Sequence, residues 1–222
     1  MRTGVFKRLF LIVCFCFTLA VGGYATYIKG RTVVHLGKEF YFLTVPAETV
    51  EVSALEIQKD GGAGFLLSFS KEQRMALAVY ANEADGKKIL LNNQGKYEDL
   101  RLVCVRCDRL YFGFQSAKEG KDVLTALNTL DEYISLLNEM IARVENGQTQ
   151  EASKRILKEI GKNFDYLKKA YQKKYPELSA VYQKGAIELQ KQTDNLVFAK
   201  DLRYVVCLLS KGYIDFAERY SV

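Results

Sequence analysis

Apolar and polar residues alternate with a different period in each of three parts of the chain. From Leu9 to Ile28 the run LFLIVCFCFTLAVGGYATYI carries no charge; as a helix rising about 1.5 Å per residue it reaches roughly 30 Å, a bilayer's hydrocarbon thickness. That run predicts a single-pass transmembrane helix over 9–28. From about Lys38 to Cys107 the apolar residues come in short aromatic and β-branched runs separated by Gly, Pro and polar clusters, the pattern of strands and short helices. From Ser116 onward they recur at spacings of three and four, the pattern of long amphipathic helices.

In the middle part, Phe40-Tyr41-Phe42-Leu43-Thr44-Val45 reads as a strand ended by Pro46. Thr49 to Asp60 has helical spacing through Val52 and Leu55 and stops at Gly61-Gly62. Phe65 to Phe69 and Arg74 to Tyr80 are two strands joined by the polar turn Ser70-Lys71-Glu72-Gln73. Asn82, with Asp85 three residues on, caps a short helix that ends near Asn93 before Gly95. Leu100 to Val105 is the last strand. The order β-α-β-β-α-β predicts a small four-stranded antiparallel sheet with two helices on one face. Many unrelated functions use that arrangement.

In the last part, Ser116-Ala-Lys-Glu119 is a capping box. Val123, Leu127, Leu130, Ile134, Leu137, Ile141 and Val144 then form a coiled-coil-like stripe that ends at Asn146-Gly147. A second stripe runs through Leu157, Ile160, Phe164, Leu167 and Tyr171 to Pro176. A third starts at Leu178 and Tyr182, is interrupted near Thr193-Asp194-Asn195, and resumes from Ala199 through Leu202, Val206, Leu209, Tyr213, Phe216 and Tyr220. Three or four helices packed antiparallel over 117–222 follow, with self-association as the alternative use of the stripes. The fold class expected is therefore α+β: a transmembrane helix, the small sheet module over 38–107, and a helical bundle. Residues 29–37 and 108–116 are the expected linkers.

Charge fixes an expected orientation. Arg2, Lys7 and Arg8 form a basic flank over 1–8, while Lys29 and Arg31 follow the apolar run, so the N-terminus is expected in the cytoplasm and the bulk of the chain outside the plasma membrane. Tyr24 and Tyr27 suit the headgroup level. A cleaved signal peptide with a Gly23-Tyr24-Ala25 site is the competing reading. Overall the chain is mildly basic, with 32 Lys and Arg against 26 Asp and Glu, both signs being scattered. The basic segment Lys154 to Lys174 suits an anionic membrane surface or envelope polymer; its aromatics fit the core stripe, so nucleic acid is not expected as a partner.

Chemistry is sparse. His35 is the single histidine, so no Ser-His-Asp triad can form without it, and it lies close to the expected membrane. Cys104-Val-Arg-Cys107 lacks the further ligands of a closed zinc site and follows a strand instead of opening a helix. With Cys207, these cysteines read as packed or free thiols, a Cys104–Cys107 disulfide being the alternative. Gly61-Gly62-Ala63-Gly64 has no following Lys-Ser or Lys-Thr and is a turn. Acid pairs such as Asp131-Glu132 lie on the polar side of a stripe. No enzyme, cofactor or metal is expected.

The segment from about Lys38 to Cys107 resembles a SPOR domain, the sporulation-related repeat of bacterial envelope proteins. The likeness lies in the Tyr41-Phe42-Leu43-Thr44-Val45 strand, the helix ending at Gly61-Gly62, the adjacent hairpin, and the Asn82-Glu83-Ala84 helix start. Thr44 stands where that family usually has Gln, and Pro46-Ala47 and Tyr80-Ala81-Asn82 replace its glycine-containing turns. The resemblance implies an envelope protein of division or sporulation that binds peptidoglycan glycan strands across the helix-free face of its sheet. Strand alternation makes the face concrete. With Leu43, Val45, Met75, Leu77 and Val79 turned toward the two helices, the outward set is Phe42, Thr44, Ser68, Arg74, Tyr80 and Arg101. A sheet face covered by the C-terminal helices is the alternative to an open glycan site. In that case the protein is a membrane scaffold whose helical bundle contacts a protein partner and which binds no carbohydrate.

Overall fold

The computed structural model describes residues 32–47, 50–68, 72–112 and 117–221. The expected anchor over 9–28, its basic flank, Cys14, Cys16, the Ser70-Lys71 turn and the capping Ser116 lie outside the described residues. No helix among the described residues is long and apolar enough to cross a membrane.

The chain is α+β. In order it forms β1 (Thr32–Pro46), α1 (Val50–Lys59), β2 (Phe65–Ser68), β3 (Gln73–Tyr80), α2 (Glu83–Asn92), β4 (Arg101–Phe112), α3 (Ala117–Glu145), α4 (Gln150–Tyr171), α5 (Pro176–Asp194) and α6 (Ala199–Glu218). The strands make one antiparallel sheet in the order β2-β3-β1-β4, the split arrangement that β-α-β-β-α-β connectivity produces. Asn82 caps α2 by accepting the Asp85 N–H at 2.8 Å, so the expected cap is the one that forms. Pro176 sits in the first turn of α5, where its missing N–H costs no helical bond.

Two differences from the sequence pattern concern the strands. The outer strands are longer than their apolar cores: β1 begins at Thr32 and β4 runs to Phe112, pairing from Thr32↔Phe112 to Thr44↔Arg101. The expected linker residues 32–37 and 108–112 thus form a two-stranded ribbon. A bulge in β1 between His35 and Lys38 bends that ribbon, with Gly37 at φ 56°, a conformation that favours glycine. The second difference is a bulge where β1 meets β3: Leu43 pairs with Ala78 and Thr44 with Ala76, leaving Leu77 as an extra residue. One extra residue flips every later side chain to the opposite face. Met75 and Leu77 keep the expected side, whereas Val79 joins the cluster shared with the bundle and Tyr80 packs against the α1/α2 side.

Both faces of the sheet are covered. Leu43, Val45, Met75 and Leu77 pack with Ile57 of α1 and with Ile89 and Leu90 of α2. On the other side Phe40, Phe42, Ala76, Leu67 and Cys107 join one continuous core with the helices. Here α6 lies across β2, β3 and β4, and α3 across β1 and β4. Phe40 meets Tyr213 edge-on at 5.2 Å between ring centroids, and Phe65 meets Tyr204 in the same way at 5.2 Å. Polar contacts pin the seam: Lys38 to Asp131, Arg203 to the Gly61 carbonyl at 2.7 Å, and the Tyr111 N–H to the Tyr220 carbonyl at 2.7 Å.

The bundle is antiparallel, and its stripes are its core. Val123, Leu127, Leu130, Ile134, Leu137, Leu157, Ile160, Phe164, Leu178, Tyr182, Leu202, Val206, Leu209 and Phe216 are all buried. The helices approach closely at Gly185, where a Cβ would stand 2.8 Å from the Phe164 ring. Phe164 is packed edge-on between Tyr133 and Tyr182.

Because Phe42 belongs to the core shared by sheet and bundle, Phe42→Ala is expected to cost about 3–5 kcal/mol and to lower the stability of both parts together. Far-ultraviolet and near-ultraviolet dichroism should trace one common urea transition in both proteins; a variant whose bundle melts at the unmodified midpoint would show that the two parts are independent.

Candidate functional site

The six residues expected on an open glycan face do not form one. Phe42 and Thr44 have no exposed surface and Arg74 has 1%. Ser68 is exposed at the end of β2 opposite Gln73, Arg101 is exposed on the edge strand, and Tyr80 is half-buried at the far end of β3.

Thr44, Arg74 and Arg101 meet in a different role. Arg74 sits where β2, β3 and β1 converge, and its guanidinium is fully engaged. Nε donates to Thr44 Oγ1 at 2.8 Å, Nη2 to the Asp99 carbonyl at 2.7 Å and the Thr44 carbonyl at 3.3 Å, and Nη1 to Asp99 Oδ2 at 3.1 Å and Glu72 Oε2 at 3.4 Å. Five donors thus have five acceptors. Asp99 also accepts from Arg101 Nε at 2.6 Å, and it holds a left-handed backbone at φ 49°. The Arg74 guanidinium, and behind it Arg101, keep the Asp99 carboxyl below its ordinary range. This network closes the turn into β4 and leaves Arg74 no free N–H for a ligand.

Open concavities lie elsewhere. A cleft of about 460 Å³ runs along the seam between β3, α2, α3 and α6, lined by Tyr80, Asn82, Asp85, Lys88, Asn138 and the Arg203–Glu145 ion pair. Burial pushes the Tyr80 hydroxyl up to about 12, so it is a neutral hydrogen-bonding ring at physiological pH. A hollow of about 630 Å³ under the β1–β4 ribbon is lined by His35, Arg106, Cys107, Arg109 and Glu218. A groove of about 560 Å³ follows the outer side of the α4–α5 hairpin, with Lys158, Lys162 and Lys168 on one wall and Gln183, Ile187 and Gln190 on the other. Ile187 is 48% exposed there. Among the described residues, Lys158 and Lys168 have no carboxylate within ion-pair distance, whereas Lys162 pairs with Glu159. Asp165 and Asp194 also line the groove, so it is an amphipathic surface of mixed charge.

None of these places assembles an activated nucleophile. Burial pushes the Cys107 thiol up to about 11 and the Cys207 thiol higher still, so both are neutral at physiological pH. Cys104 is exposed and Cys107 buried, and all three described cysteines are free. Three residues apart on one strand, Cys104 and Cys107 point to opposite faces with Cα atoms about 10 Å apart, beyond disulfide reach. No group of three or more His, Cys, Asp or Glu among the described residues could hold a metal ion.

The missed signal was in the strands themselves. Met75 to Val79 is an unbroken apolar run, and Phe40 and Phe42 put two large rings on the face taken as open. Continuous apolar strands mark a sheet buried on both sides. The hairpin groove had only the lysine-rich segment as its sequence signal.

Comparison with known proteins finds no matching family model, no matching curated protein and no matching solved structure.

Two outcomes follow. Arg74→Met should destabilise the fold by about 2–4 kcal/mol, since it strands buried acceptors, and Arg74→Lys should restore little of this because an ammonium cannot reproduce the fork. The depressed carboxyl of Asp99 adds stability above its unfolded pKa of about 3.9 that is lost as pH falls through the lower folded value; urea midpoints measured from pH 6 to pH 2 should therefore fall less steeply in Arg74→Met. Separately, peptide-level alkylation of the native chain should label Cys104 quickly and Cys107 and Cys207 only after denaturation, and a Cys104–Cys107 disulfide in oxidised protein would contradict the strand geometry.

Proposed function

We propose that this protein is a single-pass membrane-anchored envelope scaffold that engages a protein partner through its helical bundle, with the sheet module serving as a structural platform and not as a carbohydrate site. The observation that carries this reading is the burial of the helix-free sheet face: Phe40, Phe42 and Ala76 are spent on α3 and α6. The surface left for recognition is helical. On the α4–α5 hairpin, Lys158 and Lys168 are uncommitted cations around the exposed Ile187, and Tyr166 is 71% exposed nearby on α4. With Asp165 and Asp194 also in the lining, such a surface fits an amphipathic segment of a partner that carries both signs of charge.

A second reading keeps peptidoglycan as the ligand, in division or sporulation. The strand order β2-β3-β1-β4 is compatible with it, being the order that β-α-β-β-α-β connectivity produces, though many unrelated functions share it. In that reading the glycan uses surface outside the buried face, and the seam cleft around Tyr80 is the place that offers an aromatic ring with amide and ionic neighbours.

Incubating the full chain with amidase-treated sacculi separates the two readings. The scaffold reading expects no retention above a control protein, together with a partner adduct from a photo-crosslinker at Ile187 that is lost in Lys158→Glu/Lys168→Glu. Retention on sacculi that Tyr80→Ala abolishes would replace it with the glycan reading.

A further inference from the structure

We propose that the pole of the molecule from which β1 emerges is a docking surface for an anionic phospholipid leaflet, a proposal that rests on the membrane-anchor reading above. Several independent contacts bring the relevant chain ends to one pole. Thr32 pairs with Phe112 at the tip of the ribbon, and the neighbouring Tyr111 bonds to Tyr220 at the end of α6. Arg219 pairs with Glu177, which places the start of α5 beside the end of α6. Lys174 pairs with Asp122, which places the end of α4 beside the start of α3. The opposite pole holds the α3–α4 and α5–α6 connections, joined by the Gln150 side chain to the Val197 backbone at 2.8 Å.

The charge at the first pole is positive in balance once internal pairs are set apart. Lys118 and Lys121 on the first turns of α3, Lys169 and Lys173 at the end of α4, and Arg109 on the ribbon are exposed. Among the described residues none of them has a carboxylate within ion-pair distance. The exposed acids without a cation partner there are Glu119 and Glu218, so the uncommitted charge is positive. Those lysines bring flexible, strongly hydrated ammonium groups suited to headgroup phosphates.

Distance supplies the occupant. The uncharged run ends at Ile28 and β1 begins at Thr32. Four residues span at most about 14 Å, so an anchored chain holds this pole, and no other part of the molecule, within reach of the headgroups. A surface held that close to a bilayer, with its uncommitted charge positive in balance, meets anionic lipid before any soluble partner.

The test uses the full chain in nanodiscs of phosphatidylglycerol or of phosphatidylcholine, with acetylation of individual lysines followed by mass spectrometry. The expected result is modification of Lys118, Lys121, Lys169 and Lys173 at least about threefold slower in phosphatidylglycerol, with Lys88 and Lys158 unchanged and the difference abolished at about 0.5 M salt. Equal rates in the two lipids for a chain that co-elutes with both discs would overturn the docking surface and leave the anchor standing. A chain that co-elutes with neither would remove the anchor and this proposal with it.

Discussion

A sheet whose two faces are both apolar has to be covered twice, and that requirement organises this molecule. Leu43, Val45, Met75 and Leu77 take α1 and α2 as their cover, and Phe40, Phe42, Ala76 and Leu67 take α3 and α6. Burying one phenylalanine side chain stabilises by about 1.5–3 kcal/mol, and several such rings lie between sheet and bundle. The small Ala76 of β3 lies on the same face as the large rings, where Phe40 of β1 meets Tyr213 of α6. The bundle is therefore the second layer of the sheet, and the chain folds around a core that neither part could complete alone.

That shared core changes what the polar residues do. Arg74 would be a free donor on an open sheet, but here it is the buried tie between three strands and the Asp99 turn. A buried guanidinium is tolerated only where every N–H has an acceptor, and the backbone carbonyls of Thr44 and Asp99 supply two of them. The surface available for recognition moves outward, to the hairpin of α4 and α5. Those helices pack chiefly on each other and on α6, so their outer sides remain in solvent, with Lys158 and Lys168 outside any ion pair among the described residues.

The ribbon of β1 and β4 links these features to the membrane-facing end proposed for the chain. Residues whose composition suggested linkers are strands because each has a partner: Val33 lies opposite Tyr111 and Val34 opposite Leu110. A bulge at Gly37 interrupts the register of the pair, and the Tyr220 carbonyl, just past α6, accepts from the Tyr111 N–H of β4. A paired ribbon in place of a linker fixes the pole of the body at which β1 begins.

What the sequence determined by itself were the local elements: the strand and helix order, the Asn82 cap, the break between helices at Pro176 and the helix stripes, most of whose residues are buried. These follow from periodicity and from local backbone chemistry, which act within a few residues. Only the tertiary structure decided which face of the sheet is covered and by what. Alternation assigns side chains to two faces but does not say that both are buried, and a one-residue bulge at Leu77 reverses Val79 and Tyr80 with no local signature. The fate of Phe42 was set by helices far along the chain, and that of Thr44 and Arg74 by the Asp99 turn, because burial is a property of the assembled layers and not of a segment.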